Sequence, residues 1–129
     1  MSNHFSVILA EDEPRILQFM QKKIEELDPR FEIIATARNG MDALSVAEEL
    51  RPHVLFTDVK MPVMDGLTAA RIIRRLELPD AKTIPVIAMT ANAFKEDEEK
   101  CLAAGINAHL AKPLDMEMVK RTICEMVKK

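Results

Sequence analysis

Short apolar runs alternate five times along this chain with longer segments whose apolar residues return every third or fourth position. The runs are Val7 to Ala10, Phe31 to Ala35, Val54 to Thr57, Val86 to Thr90 and, weakest, Ala108 to Ala111. Runs of this length that are apolar on successive residues read as strands buried on both faces. Breaks such as Pro29, Pro52 and Pro85 precede them. Between the runs, Ile16, Leu17, Met20, Ile24 and Leu27 form one helical stripe and Leu44, Ala47 and Leu50 a second. Leu67, Ala70, Ile73 and Leu76 form a third, and Val119, Ile123, Met126 and Val127 close the chain with a fifth. The fourth helical segment, "AFKEDEEKCLAAG", keeps only Phe94, Cys101, Leu102 and Ala103 as apolar anchors, so it is expected to be loosely held. Gly105 is its expected left-handed cap. Asn39-Gly40 is a hairpin signal in isolation, but the apolar residues after it return with helical period, so it reads as the loop entering the second helix. The pattern predicts an alternating β/α architecture: a parallel sheet covered by helices on both faces and joined by right-handed crossovers. No linker or shift in composition divides residues 1–129, so one domain is expected.

Composition narrows the function classes. The chain is 48% hydrophobic and 30% charged, with no apolar run near the length of a membrane span. The N-terminal "MSNHFSVILAEDEP" has neither a basic head nor a small-residue cleavage site, which points to a cytoplasmic protein. A net charge of -3, without a block of like charge, does not suggest nucleic acid as a direct ligand. Cys101 and Cys124 fall in helical segments without metal-ligand spacing and read as reduced packing residues. The methionines are scattered and read as core filler.

Polar residues gather where the runs stop. Glu11 and Asp12 follow the first, Asp58 ends the third in "HVLFTDVKMPVMDG", Thr90 ends the fourth and Lys112 follows the fifth, while the second offers no carboxylate. In a doubly wound sheet of order 2-1-3-4-5, strands 1, 3, 4 and 5 are successive neighbours about 4.8 Å apart. All these strand ends would then share one ledge at the carboxyl edge. Carboxylates crowded between strands 1 and 3 would repel one another, and a hard divalent cation held by oxygens relieves that repulsion. Mg²⁺ fits. Lys112 and the Thr90 hydroxyl are suited to receive the oxygens of a phosphate-like group.

"ILAEDEP", "VLFTDVKMPVMDG", "IPVIAMTANAF" and "AHLAKPL", in this order and each at a strand end, resemble the receiver domain of two-component response regulators over residues 6 to 128. The resemblance implies a single doubly wound (βα)5 domain with a five-stranded parallel sheet of order 2-1-3-4-5, flavodoxin-like and CheY-like. It implies that Asp58 is the phosphoacceptor, taking a phosphoryl group from a phosphohistidine on a sensor histidine kinase or phosphotransfer protein. Asp12, the Asp58 carboxylate and the Lys60 backbone carbonyl would hold Mg²⁺, with Glu11 acting through water. Lys112 would pair with the phosphoryl group, aimed by a cis bond to Pro113, and Thr90 would turn inward to hydrogen-bond it. Lys60 and Asn92 occupy positions that tune acyl-phosphate hydrolysis in the family. His109 stands at a switch position usually held by Tyr or Phe, on a surface made by the fourth helix, fifth strand and fifth helix. That surface would shift for output or a phosphorylation-dependent homodimer. Such a module catalyses only its own phosphotransfer and hydrolysis and is not otherwise an enzyme. "TANAF" and "AGINAHLAKPL" also resemble receivers of hybrid histidine kinases, and "DEPRILQFMQKKIEE" resembles those ahead of DNA-binding domains.

Taken singly, each motif has a blander origin. Glu11 to Glu13 before Pro14 is a favourable acidic helix start. Asp58 is an ordinary turn residue, Lys112-Pro113 an ordinary strand exit, Thr90 a β-former and His109 a partly buried strand histidine. Their joint placement on one ledge favours a single site. Haloacid dehalogenase-type phosphatases need a second acid two residues beyond the nucleophile, where this chain has Lys60. A flavodoxin-like carrier would need a Gly/Ser/Thr phosphate cradle in the first loop and a Trp or Tyr, which are missing. The remaining alternative is a phosphate-independent docking module, a pseudo-receiver.

Overall fold

The computed structural model describes residues 4–59, 61, 64, 66–75, 84–90, 95–111 and 115–127. Strands and helices alternate as β1 (Phe5–Ala10), α1 (Pro14–Leu27), β2 (Phe31–Ala37), α2 (Gly40–Leu50), β3 (Val54–Asp58), α3 (Gly66–Arg75), β4 (Val86–Thr90), α4 (Lys95–Ala103), β5 (Ala108–Ala111) and α5 (Met116–Val127). The five strands form one parallel sheet of order β2-β1-β3-β4-β5. This is the expected doubly wound, flavodoxin-like arrangement.

Local chemistry sets the helix ends. Pro14 opens α1, where its missing N–H costs nothing, and the Glu13 side chain accepts a hydrogen bond from Arg15 N. Asn39-Gly40 starts α2 as expected, with Asn39 Oδ1 accepting from Asp42 N at 2.8 Å. Gly105, at φ +91°, supplies the left-handed turn after α4. Asp28, nearly buried after α1, is gripped by Arg30 through Nε and Nη2 at 3.0 and 2.8 Å. This bidentate pair holds the Asp28 carboxyl well below the usual carboxylate range.

Alternate strand residues face opposite sides of the sheet, and the two sides are built from different materials. Val7, Leu9, Val54, Phe56, Ile87 and Met89 pack with Leu17, Met20 and Ile24 of α1 and Val119 and Ile123 of α5. On the other side, Ala10, Ala37 and Ala88 of the sheet meet Ala43 and Ala47 of α2 and Ala70 of α3, with Ile8, Leu55, Val86 and Ile73 between them. Small side chains let α2 and α3 lie close to the sheet. Truncating a fully buried residue such as Phe56 to alanine would cost about 3–5 kcal/mol.

Four expected anchors lie outside this core. Ile16, Leu50, Leu102 and Ala103 are exposed, because each sits at the margin of its helical stripe, beyond the reach of the sheet. Cys101 is a buried anchor of α4, and neither Cys101 nor Cys124 forms a disulfide. Phe94, Leu76 and the bond between Lys112 and Pro113 lie outside the described residues. Among those described, no helix is long and apolar enough to cross a membrane.

Candidate functional site

The carboxyl edge of β1, β3 and β4 carries the polar strand ends. β1 aligns with β3 through Ala10 and Thr57, so the residues after them, Glu11 and Asp58, stand side by side. Carboxylate oxygens of Glu11, Asp12 and Asp58 all lie within 4.8 Å of one another. Glu11 is 1% exposed and Asp58 6%, while Asp12 is more open to solvent. Burying carboxylates this close is costly unless a cation or hydrogen bonds offset it. An oxygen-only donor set that is partly open on one side fits a hard divalent cation.

Backbone bonds hold the acids in place. Glu11 N donates to Ala37 O at 2.9 Å, extending the β1–β2 pairing into the acidic turn, and Glu11 Oε2 accepts from Glu13 N at 3.2 Å. Val59 N donates to Met89 O at 2.9 Å, which carries the β3–β4 ladder past Asp58. Thr57 Oγ1 donates to Asp58 O at 2.9 Å. The chain after Asp58 returns at Gly66, whose N–H donates to Val59 O at 2.9 Å. A Cβ built on Gly66 would lie 2.4 Å from Asp58 O, so only glycine permits this approach.

Thr90 is buried at the end of β4, one residue beyond Met89, the register partner of Asp58. Ala111 pairs with Thr90 and His109 with Ala88, so Thr90 and His109 lie near one another across the β4–β5 ladder. His109 is partly buried, and its Nε2 is fully buried with no hydrogen bond among the described residues. Lys60, Asn92 and Lys112 lie outside the described residues. The structure therefore brings together Glu11, Asp12, Asp58 and Thr90, with His109 further back along the β4–β5 ladder.

Two contributors are not legible in the sequence. Gly66 reads as a turn glycine in "MPVMDG", and its role depends on a tertiary approach that no local spacing reveals. Arg38, just after β2, reaches the acidic turn through Nη2, 3.4 Å from the Asp12 carbonyl. Its only signal is a basic residue directly after a strand whose end offers no carboxylate.

The family model for the response regulator receiver domain matches residues 7–124. The chain belongs to the response regulator receiver domain family. Receiver domains of this family are modules of two-component signalling. The chain is 40% identical to the sensor histidine kinase RcsC of Escherichia coli K12 over 68% of its own length. It is 29% identical to the probable histidine kinase 1 of Oryza sativa over 95%. It spans only 9% of RcsC and 15% of the rice kinase. Among solved structures, the receiver domain of sensor histidine kinase PA1611 from Pseudomonas aeruginosa PAO1 superimposes with a TM-score of 0.86 at 31% identity, covering 98% of this chain and 99% of that one. That crystal structure holds a magnesium ion coordinated in its active-site cleft.

Proposed function

We propose that this receiver domain, comprising residues 1–129, accepts a phosphoryl group on Asp58 from a phosphohistidine of a partner histidine kinase or phosphotransfer protein. The observation that carries this reading is the placement of Asp58, buried at the end of β3 with the Glu11 and Asp12 carboxylates within 4.8 Å. An Asp58 oxygen attacks phosphorus in line, a P–O bond forms and the P–N bond to the donor imidazole breaks, leaving an acyl phosphate and a neutral histidine once a proton is taken up. Asp12 and the Asp58 carboxylate would hold Mg²⁺, with the Lys60 carbonyl and, through water, Glu11. Bound there, the ion supplies positive charge for the phosphoryl oxygens. The magnesium of the Pseudomonas neighbour supports this choice of metal.

Thr90 donates its hydroxyl to the phosphoryl oxygens. Lys112 comes directly after Ala111, the register partner of Thr90, and supplies a mobile cation. The donor docks beside the acidic turn, where α1 begins and exposes Ile16 and Phe19. The resulting shift of the α4–β5–α5 surface, with His109 as its link to Thr90, is the output and a face for a homodimer. Phosphotransfer and acyl-phosphate hydrolysis are the only reactions assigned to the chain, and the cytoplasm is its place of action.

Incubating the chain with acetyl phosphate, with and without Mg²⁺, and weighing it by intact mass spectrometry tests the reading. A Mg²⁺-dependent phosphoryl adduct, lost in Asp58→Asn, is expected. An unmodified wild-type protein would instead favour the phosphate-independent docking module. An adduct formed at wild-type rate in Asp58→Asn would refute the choice of nucleophile.

A further inference from the structure

A second feature lies at the opposite edge of the sheet. A cavity of about 400 Å³ opens between the last turns of α3 and α4, lined by Arg71, Arg74, Arg75, Leu102 and residues 103–105. Arg74 forms its fixed wall. Its Nε and Nη2 donate to Gly105 O at 3.0 and 2.7 Å, and Nη2 donates to Asn107 Oδ1 at 2.8 Å. That Asn107 oxygen also accepts from Val86 N at 2.9 Å, which ties the guanidinium to the start of β4. Gly105 is pressed so closely on Arg74 that an added Cβ would meet Cγ at 2.7 Å.

Arg71 and Arg75 are exposed and form no salt bridge among the described residues. Residues three and four apart share one helix face, where like charges repel. Arg74 and Arg75 complement the negative end of the α3 dipole, but Arg71 lies a turn earlier, where that effect has faded. Two helix C-termini contribute about -0.5 charge each, and the guanidinium groups of Arg71 and Arg75 outweigh them. No acidic side chain lines the cavity among the described residues. At its rim Leu102 is 61% exposed, a large apolar group beside the cations.

We propose that this pocket docks an acidic peptide segment of a partner protein, its carboxylates meeting the exposed Arg71 and Arg75 while an apolar side chain covers Leu102. Guanidinium forks match carboxylates geometrically. The exposed leucine selects a ligand with an apolar group as well as charge. A nucleic acid fits less well, because three clustered cations stand on a chain of net charge -3.

The test is an NMR titration of the whole ¹⁵N-labelled chain, without phosphodonor, so that its outcome is independent of the phosphoacceptor reading. The probe is an acetylated, amidated peptide of alternating Asp and Glu around one Leu; a Leu-to-Ser version and inorganic pyrophosphate serve as comparisons. Saturable amide shifts confined to residues 71–75 and 101–107 are expected. Arg71→Ala and Arg75→Ala should each weaken binding by up to about fivefold, and both together by more than either. Rising salt should weaken it further. The idea is overturned if no saturable shift occurs or if the double variant binds as the wild type does. Equal binding of the Leu-to-Ser peptide or of pyrophosphate would also overturn it, marking a general anion site.

Discussion

Gly66→Ala perturbs Asp58, the proposed phosphoacceptor, without touching a carboxylate. The added methyl would sit 2.4 Å from Asp58 O and 3.2 Å from Thr57 Oγ1, about 1 Å short of ordinary contact with the carbonyl. Because the nearest obstacle is backbone, a side-chain rotation cannot relieve the clash. Either α3 lifts away, breaking the 2.9 Å bond from Gly66 N to Val59 O, or the end of β3 moves. Overpacking of this kind costs about 1–3 kcal/mol. Displacing a reacting group by about 1 Å can cost on the order of a hundredfold in rate. Urea denaturation should show the stability loss, and phosphorylation by acetyl phosphate with Mg²⁺, measured by intact mass, should show the rate loss in molecules that remain folded. A Gly66→Ala protein with wild-type stability and phosphorylation rate would refute the claim that this close approach fixes Asp58.

Other perturbations separate the remaining roles. Asp12→Ala should weaken Mg²⁺ and beryllofluoride binding together, by at least about tenfold each; unchanged Mg²⁺ dependence of phosphorylation would place the metal elsewhere. His109→Ala should leave phosphorylation of Asp58 near normal while blunting the beryllofluoride-induced amide shifts across residues 93–124, and undiminished shifts would make His109 a spectator. Asp28→Asn should lower the melting temperature near neutral pH. The Asp28 carboxyl is depressed by Arg30, so its contribution is fully present above the unfolded value of about 3.9 and fades as pH falls through the folded value. The gap between wild type and Asp28→Asn should therefore be constant over roughly pH 5–8 and narrow below about pH 4; a gap that widens in acid would contradict the pairing.

Strands were the most legible elements. β4, preceded by Pro85 and buried on successive residues, begins and ends where the pattern puts it, and so does the less buried β5. β2 runs on to Ala37 past the polar Thr36, since β1 supplies Leu9 as a pairing partner whatever the side chain. Apolar periodicity marks a face but not its edges, which is why Ile16, Leu50 and Leu102 read as core and stand exposed. Glu11, Asp12, Asp58 and Thr90 could be grouped from sequence because a parallel sheet gathers strand ends at one edge. Gly66 and Arg38 could not, because their parts depend on distances between elements. The arginine pocket was invisible for the same reason: α3 and α4 meet there only in the fold.

The unequal faces of the sheet carry a consequence for how the protein tolerates change. On the alanine side every methylene added to Ala10, Ala43, Ala47, Ala70 or Ala88 must push a helix away from the strands, and with α3 goes Gly66 and the Asp58 carbonyl it abuts. Across the sheet, the unbranched side chains of Met20 and Met89 can readjust to volume-conserving exchanges among Leu17, Ile24 and Ile123, which cost below about 1.5 kcal/mol. A saturation mutagenesis screen read out by phosphorylation should divide along the sheet plane, with an intolerant lining beneath α2 and α3 and a permissive one beneath α1 and α5.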